Sequence, residues 1–361
     1  MVLIDPWAST SVGDYAHVFK EFGLKPFPAE WKSRFKSHLF SRDIVLAHRD
    51  FDKVIARIDA KKPFIQLTGI ASSGPYHLGH KVDIDLFLAL KKAGAKCFFC
   101  VADLDAFLSR PDEKIPSLDV ARRIAVQNVM DLLALGLEEK DIYVQSRHAT
   151  AYYALAFALS KRITMNTFEG IYGHLDMGKI GANFLQYADI LHPQLKEFAG
   201  KMPSVTGIGL DQDPHARASR DIAKRLGHDL ELPSFLYFRH QSGLREGAKM
   251  SSSEPDTAIF LSDRPEVASK KIARAFTGGR NTVEEHRKLG GNLVVDKVYE
   301  LLLFHHPDDK LLASIAKDFS SGKMLSSEMK KIAQDYFSAF LKDHQKKTKL
   351  FETKAKKIVF G

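Results

Sequence analysis

The sequence predicts an α/β fold: a parallel sheet carrying a helical insertion, followed by an all-helical region. Three observations carry this. A strand, a helix and a second strand follow one another between Phe64 and Ala102. The β-α rhythm then breaks between Ala149 and Leu191, a helical stretch that is polar in patches. Beyond Asp263, helical spacing with lysine-rich faces recurs to residue 350 without a clear strand. At 361 residues, 45% hydrophobic and 27% charged, the chain is long enough for two or three domains. We divide it into an N-terminal extension (1–62), a sheet domain (63–263) with its insertion at about 149–200, a helical domain (264–345) and a basic tail (346–361).

Within the extension, Ile44, Val45, Phe51, Val54, Ile55 and Ile58 fit one helical face, predicting a helix over Arg42–Ala60. Lys61-Lys62-Pro63 breaks it. Phe64–Thr68 reads as a strand, Gly69–Pro75 as a turn, and Leu78–Lys92 as a helix ended by Gly94. Cys97–Ala102 is the next strand, completing a βαβ unit of the kind that builds parallel sheets. A helix over Ser117–Leu135 stops at Gly136, and Ile142–Val144 is the third strand. After the insertion, Ser204–Ile208 resumes the strand pattern. Asp213 as N-cap and Pro214 at the first helical position open a helix that reaches Leu226 and ends at Gly227.

The composition limits what the chain does. A formal charge of +9 and a pI near 9.2 favour a polyanionic partner such as nucleic acid. Two cysteines, Cys97 and Cys100, exclude a disulfide scaffold and point to a reducing compartment. Their C-x-x-C spacing falls in an apolar run, so a buried strand is the expected reading and no structural metal is expected. The N-terminus lacks the basic start and apolar stretch of a signal peptide, and no apolar run is long enough to span a membrane. The expectation is a cytoplasmic protein with no membrane partner. The lysine-rich end, Lys342–Lys357, is interrupted by Leu350 and Phe351, and Ile358, Val359 and Phe360 follow it. It reads either as a solvated last helix or as an electrostatic contact with RNA.

Two short motifs carry chemistry. Pro75-Tyr76-His77-Leu78-Gly79-His80 ends a strand-turn and opens a helix. A helix N-terminus offers unpaired amides and partial positive charge to a phosphate. His77 and His80 share a helix face, and Gly79 lets an adenine or ribose approach the backbone. Gly74-x-x-x-x-Gly79 lacks the Gly-Lys-Ser/Thr ending of a Walker A loop. Zinc helices use i, i+4 spacing with a nearby acid, and neither occurs. The second motif, Lys249-Met250-Ser251-Ser252-Ser253, is flanked by Gly243, Gly247 and Pro255 and predicts a surface loop. Lys249 can neutralise charge on β- and γ-phosphates, and Ser251 and Ser253 add hydroxyl donors. Together the motifs suggest attack on ATP at its α-phosphate.

H-L-G-H and K-M-S-S-S resemble the two signatures, HIGH and KMSKS, of class I aminoacyl-tRNA synthetases. The block Asp211-Gln212-Asp213-Pro214-His215-x-Arg217-x-x-Arg220-Asp221 resembles that of tryptophanyl-tRNA synthetases of the archaeal and eukaryotic type. Gly278-Gly279-Arg280-x-Thr282-x-Glu284-Glu285-His286-Arg287 and Asp5-Pro6-Trp7 are similar to two further blocks of that family.

The resemblance implies a Rossmann-like nucleotide-binding domain and a C-terminal domain that reads the anticodon. It implies activation of L-tryptophan with ATP and Mg²⁺, transfer to tRNA(Trp), and a homodimer. By similarity, His77, His80 and Lys249 are catalytic. The ATP site falls on Thr68, Ser72, Ser73, Gly74, His77, Gly79, His80, Gly209, Asp211, Lys249, Met250, Ser251, Ser252 and Ser253. The amino-acid pocket takes Gln186, Gln212, Asp105 and Cys100. The family has a second lysine where Ser252 stands. It often places a tyrosine at Leu67 and a glutamine at Cys100, both facing the indole, so the indole N–H has no assigned partner. Competing readings are a tyrosine-specific synthetase, a paralogue that binds nucleotide or RNA without charging tRNA, and a small-molecule nucleotidyltransferase. The Asp211 and Gly278 blocks argue against the first, the intact motifs against the second, and the long helical end against the third.

Overall fold

The computed structural model describes residues 19–20, 22–173, 176–226, 230–247, 250 and 254–361. Among them seven strands form one sheet: β1 (Lys25–Pro26), β2 (Val45–Arg49), β3 (Phe64–Ala71), β4 (Ala95–Ala102), β5 (Ile142–Val144), β6 (Ser204–Gly209) and β7 (Ser234–Phe238). Their spatial order is β1-β2-β7-β6-β3-β4-β5. From β7 to β5 all neighbours are parallel, while β2 and β1 add antiparallel at the β7 edge.

The central strand β3 is buried from Phe64 through Thr68, as a parallel strand covered on both faces must be. Gln66 is tolerated there because its amide donates to the Phe87 carbonyl at 2.8 Å. The helix Leu78–Lys92 returns the chain to β4, and Leu118–Leu135 leads on towards β5. Ser117 caps the latter helix by accepting from the Val120 amide, and Gly136 ends it at φ 111°. The insertion forms the helices Thr150–Ser160, Met165–Tyr172 and Met177–Leu191. The chain then crosses to the opposite side of β3 to form β6. The strand order therefore reverses between β3 and β6, opening a crevice outside their carboxyl ends.

Three expectations are corrected. Arg42–Ala60 is not one helix: Val45–Arg49 is β2, a turn with Asp50 at φ 53° intervenes, and only Asp52–Asp59 is helical. The apolar spacing fits both periods, and pairing with β7 decides between them. β7 itself, buried throughout, falls in a stretch with no predicted strand. Asp213 is the first residue of its helix after a 3₁₀ turn over Leu210–Gln212, not a cap. Its buried carboxylate accepts from Arg49 (2.9 Å) and Tyr237 (2.6 Å). The predicted stop at Gly227 lies outside the described residues, as do Asp5, Pro6 and Trp7.

The C-terminal region packs against the sheet. Its helices Pro265–Arg274, Val283–Leu289, Lys297–His305, Asp309–Ser320, Ser326–Thr348 and Glu352–Phe360 share one core with the sheet. That core runs from Phe87, Phe99 and Val129 to Phe337, Leu341 and Val359. Ala355 and Val359 dock the last helix onto Leu118–Leu135, where their burial outweighs the solvation of the lysines between them. Beside it, His344 donates to Asp131 across 2.9 Å in the same buried seam.

Candidate active site

The crevice holds a cavity of about 300 Å³. β3 supplies Gly69, Ile70 and Ala71; β4 and the helix after it supply Cys100, Ala102, Asp105 and Arg110. Gln186 and Asp189 enter from the insertion. Gly209, Asp211 and Gln212 come from the end of β6, and His80 and Asp83 from the helix after β3. Gly69 has a packing reason: a Cβ there would stand 2.7 Å from the Cys100 Cβ.

The structure brings together one group of predicted residues. Cys100, Asp105, Gln186, His80, Gly209, Asp211 and Gln212 all face this cavity. Asp105 is half-buried, its amide donating to Gln145 (2.8 Å) and its carboxylate accepting from Ser109 (3.1 Å). Burial pushes its carboxyl up, opposed by the Arg110 charge. His77 stands behind His80, the rings stacked at 3.8 Å, and edge-on to Phe260. Thr68, Ser72, Ser73, Gly74 and Gly79 are not part of the lining. Ser72 is buried beneath the turn, and the Gly74 carbonyl is held by Asn128 at 3.1 Å.

The helix N-terminus departs from the expectation of unpaired amides. The Leu78 amide donates to the Ile259 carbonyl (2.9 Å), that of Gly79 to the Met250 sulfur (3.2 Å), and that of His80 to His77 Nδ1 (3.4 Å). Reciprocally, the His77 amide donates to His80 Nδ1 at 3.2 Å. Both Nδ1 atoms are thus acceptors, which puts the proton of each neutral imidazole on Nε2. Burial holds both rings neutral: His80 is lowered to about 4, and His77 falls well below its ordinary value with the neighbouring ring adding to burial. Gly79 makes room for this arrangement, since a Cβ would stand 2.8 Å from His77 Cε1. Met250, 8% exposed, brings the second motif onto the first. Lys249, Ser251, Ser252 and Ser253 lie outside the described residues.

Sequence reasoning missed Asp189 and His240. Asp189 is buried and accepts from Tyr143 (2.8 Å) and Gln145 (2.9 Å). Burial pushes its carboxyl up to about 7, against those hydrogen bonds. His240 reaches Asp211 at 2.5 Å. Asp189 follows Gln186 by three residues, so the two share a helix face. That was the available signal; His240 had none.

A parallel sheet that reverses between β3 and β6, a cavity at that point and His80 on its wall, backed by His77, define a nucleotide-binding α/β enzyme. Comparisons with known proteins narrow the class. The family model for class I tRNA synthetases (W and Y) matches residues 59–342. The tryptophan–tRNA ligase of Aeropyrum pernix is 41% identical over 367 residues, covering 99% of this chain and 97% of the relative. That of Methanocaldococcus jannaschii is 38% identical, covering 99% and 98%. The crystal structure of tryptophanyl-tRNA synthetase from A. pernix superposes with a TM-score of 0.88 at 40% identity, covering 98% of each chain. The chain belongs to the class I tRNA synthetases of the tryptophan and tyrosine type.

Proposed function

We propose that this enzyme activates L-tryptophan with ATP to tryptophanyl-adenylate and transfers the amino acid to tRNA(Trp). The observation that carries this reading is one cavity shared by two sets of groups. His80, Gly209 and Asp211, which we assign to the nucleotide, line the same cavity as Asp105, Gln186, Asp189 and Gln212, which we assign to the amino acid.

The tryptophan carboxylate attacks the α-phosphorus of ATP in line, and pyrophosphate leaves. Protein groups align two anions and offset the charge that builds on the phosphoryl oxygens. His80 Nε2–H, with His77 behind it, donates to a phosphate oxygen without adding a permanent charge. Lys249 and its serines close on the β- and γ-phosphates, and Mg²⁺ enters as the ATP complex. Asp211 accepts from the ribose. Asp105 faces the substrate ammonium, and Gln186 and Gln212 hydrogen-bond its polar end. Asp189 takes the indole N–H, the role that Leu67 and Cys100 cannot fill: a carboxylate still has acceptor capacity after Tyr143 and Gln145 have donated. Helices 264–345 take the anticodon, and the lysines of 346–361 add charge for the RNA.

A homodimer is the assembly we favour. Phe157 and Met177 of the insertion are each 78% exposed, an apolar display that a second copy can cover. We place the enzyme in the cytosol, where its two free thiols stay reduced. No described helix is long and apolar enough to cross a membrane.

Pyrophosphate exchange with tryptophan and tyrosine in parallel, followed by charging of transcribed tRNA(Trp), tests the reading. Tryptophan-dependent exchange and charging are expected. Exchange with tyrosine alone, or none, overturns it.

A further inference from the structure

We propose that His240 is a positioning residue for the nucleotide's ribose, acting through Asp211. The inference rests on the assignment of Asp211 to the ribose. His240 Nε2 stands 2.5 Å from Asp211 Oδ1, while the side-chain amide of Gln212 donates to the other carboxylate oxygen at 3.2 Å. Each oxygen of Asp211 is therefore held by at least one donor, and the carboxylate has a fixed plane. Both residues line the cavity, with the His240 side chain 39% exposed and that of Asp211 11%. The rest of the backbone is shaped for this contact. A Cβ at Gly209 would stand 1.9 Å from His240 Nε2 and 2.5 Å from Asp211 Oδ1, so a side chain there would force the pair apart. Asp83 shares the wall, its carboxyl pushed up to about 7 chiefly by burial.

A carboxylate free to rotate accepts from a ribose hydroxyl only in some rotamers. One clamped on both oxygens presents its remaining lone pairs in a single direction before ATP arrives. His240 thus acts on binding and on recognition of the sugar hydroxyl, not on the chemical step.

The test is pyrophosphate exchange with ATP and with 2′-deoxy-ATP for wild type, H240A, H240Q and D211N, with thermal melts to establish folding. H240A is expected to raise the KM for ATP about tenfold, the scale of one charge-assisted hydrogen bond. Its kcat should change less than about threefold, because binding that is uniform between ground and transition state moves KM alone. Its preference for ATP over 2′-deoxy-ATP should shrink, and H240Q, which keeps an N–H donor, should restore much of it. D211N separates the two claims. If D211N loses the ribose preference and H240A keeps it, His240 does not position Asp211. If D211N keeps it, the ribose assignment itself fails and this inference with it.

Discussion

The backbone amide of Gly79 donates to the thioether sulfur of Met250 at 3.2 Å. A contact between residues 171 positions apart joins the two short motifs. It also occupies an amide at the helix N-terminus, where an anion is favoured. Thioether sulfur is a weak acceptor, so a phosphate oxygen replaces it at a gain. Met250→Leu keeps the volume but removes the acceptor, leaving the Gly79 amide unsatisfied until ATP binds. The free enzyme should lose on the order of 1 kcal/mol of stability. The KM for ATP should fall by about threefold on the same scale. Urea melts and exchange kinetics read both. An unchanged or raised KM would mean that phosphate does not take this amide.

If Asp189 takes the indole N–H as proposed, tryptophan binding should depend on pH. Its folded pKa of about 7 is raised by burial, so the carboxyl gains its charge as pH rises through neutrality. Only the ionised form accepts strongly from an indole N–H. The KM for tryptophan should therefore fall between pH 6 and 8, by no more than about tenfold per unit. Asp189→Asn should flatten that dependence and raise the KM throughout. The same slope in the variant would assign the titration elsewhere and release Asp189 from the indole.

The helix Leu118–Leu135 was legible at both ends because its stop signals are local: Ser117 caps it and Gly136 takes the left-handed turn. The cavity's Asp211 and Gln212 were legible because their block keeps a recognisable order. β2 was not, because Ile44, Val45, Phe51, Val54, Ile55 and Ile58 satisfy a helical period. Only pairing with Phe235–Phe238, remote in sequence, makes Val45–Arg49 a strand. His240 was invisible for the same reason: its meaning lies in a 2.5 Å approach to Asp211 across 29 residues. The shared core was hidden because residues 264–361 look self-sufficient until their apolar faces are seen against Phe87 and Phe99.

Gly69 allows a packing prediction. A methyl group on this residue would meet the Cys100 Cβ at 2.7 Å and push β3 from β4 at the floor of the cavity. Gly69→Ala should destabilise the fold by about 1–3 kcal/mol, the usual cost of overpacking. Gly69→Ala with Cys100→Gly removes the opposing Cβ and should recover part of that loss. Denaturant midpoints of the single and double variants measure the coupling. Additive effects would show that the two positions do not compete for space.

Acid should unfold this protein earlier than its carboxylates alone predict. Burial lowers His80 and His148 to about 4 and His192 and His215 to about 3. An imidazole with a depressed folded pKa binds its proton more readily when unfolded. The stability it contributes is present above its unfolded pKa of about 6.5 and is lost as pH falls towards the folded value. Asp83 and Asp189, raised to about 7, act in the opposite sense: protonation relieves their burial as pH falls through 7. Four imidazoles against two carboxyls leave a net loss between about pH 6.5 and 4. His148 and His192 bond to each other at 2.9 Å and lie against Tyr143, so charging either ring breaks a packed aromatic cluster. Urea midpoints should fall steadily across this window. His148→Gln should shallow the slope while preserving a side-chain donor. A midpoint that stays level to pH 4 would mean that these rings are protonated as easily in the folded protein as in the unfolded chain.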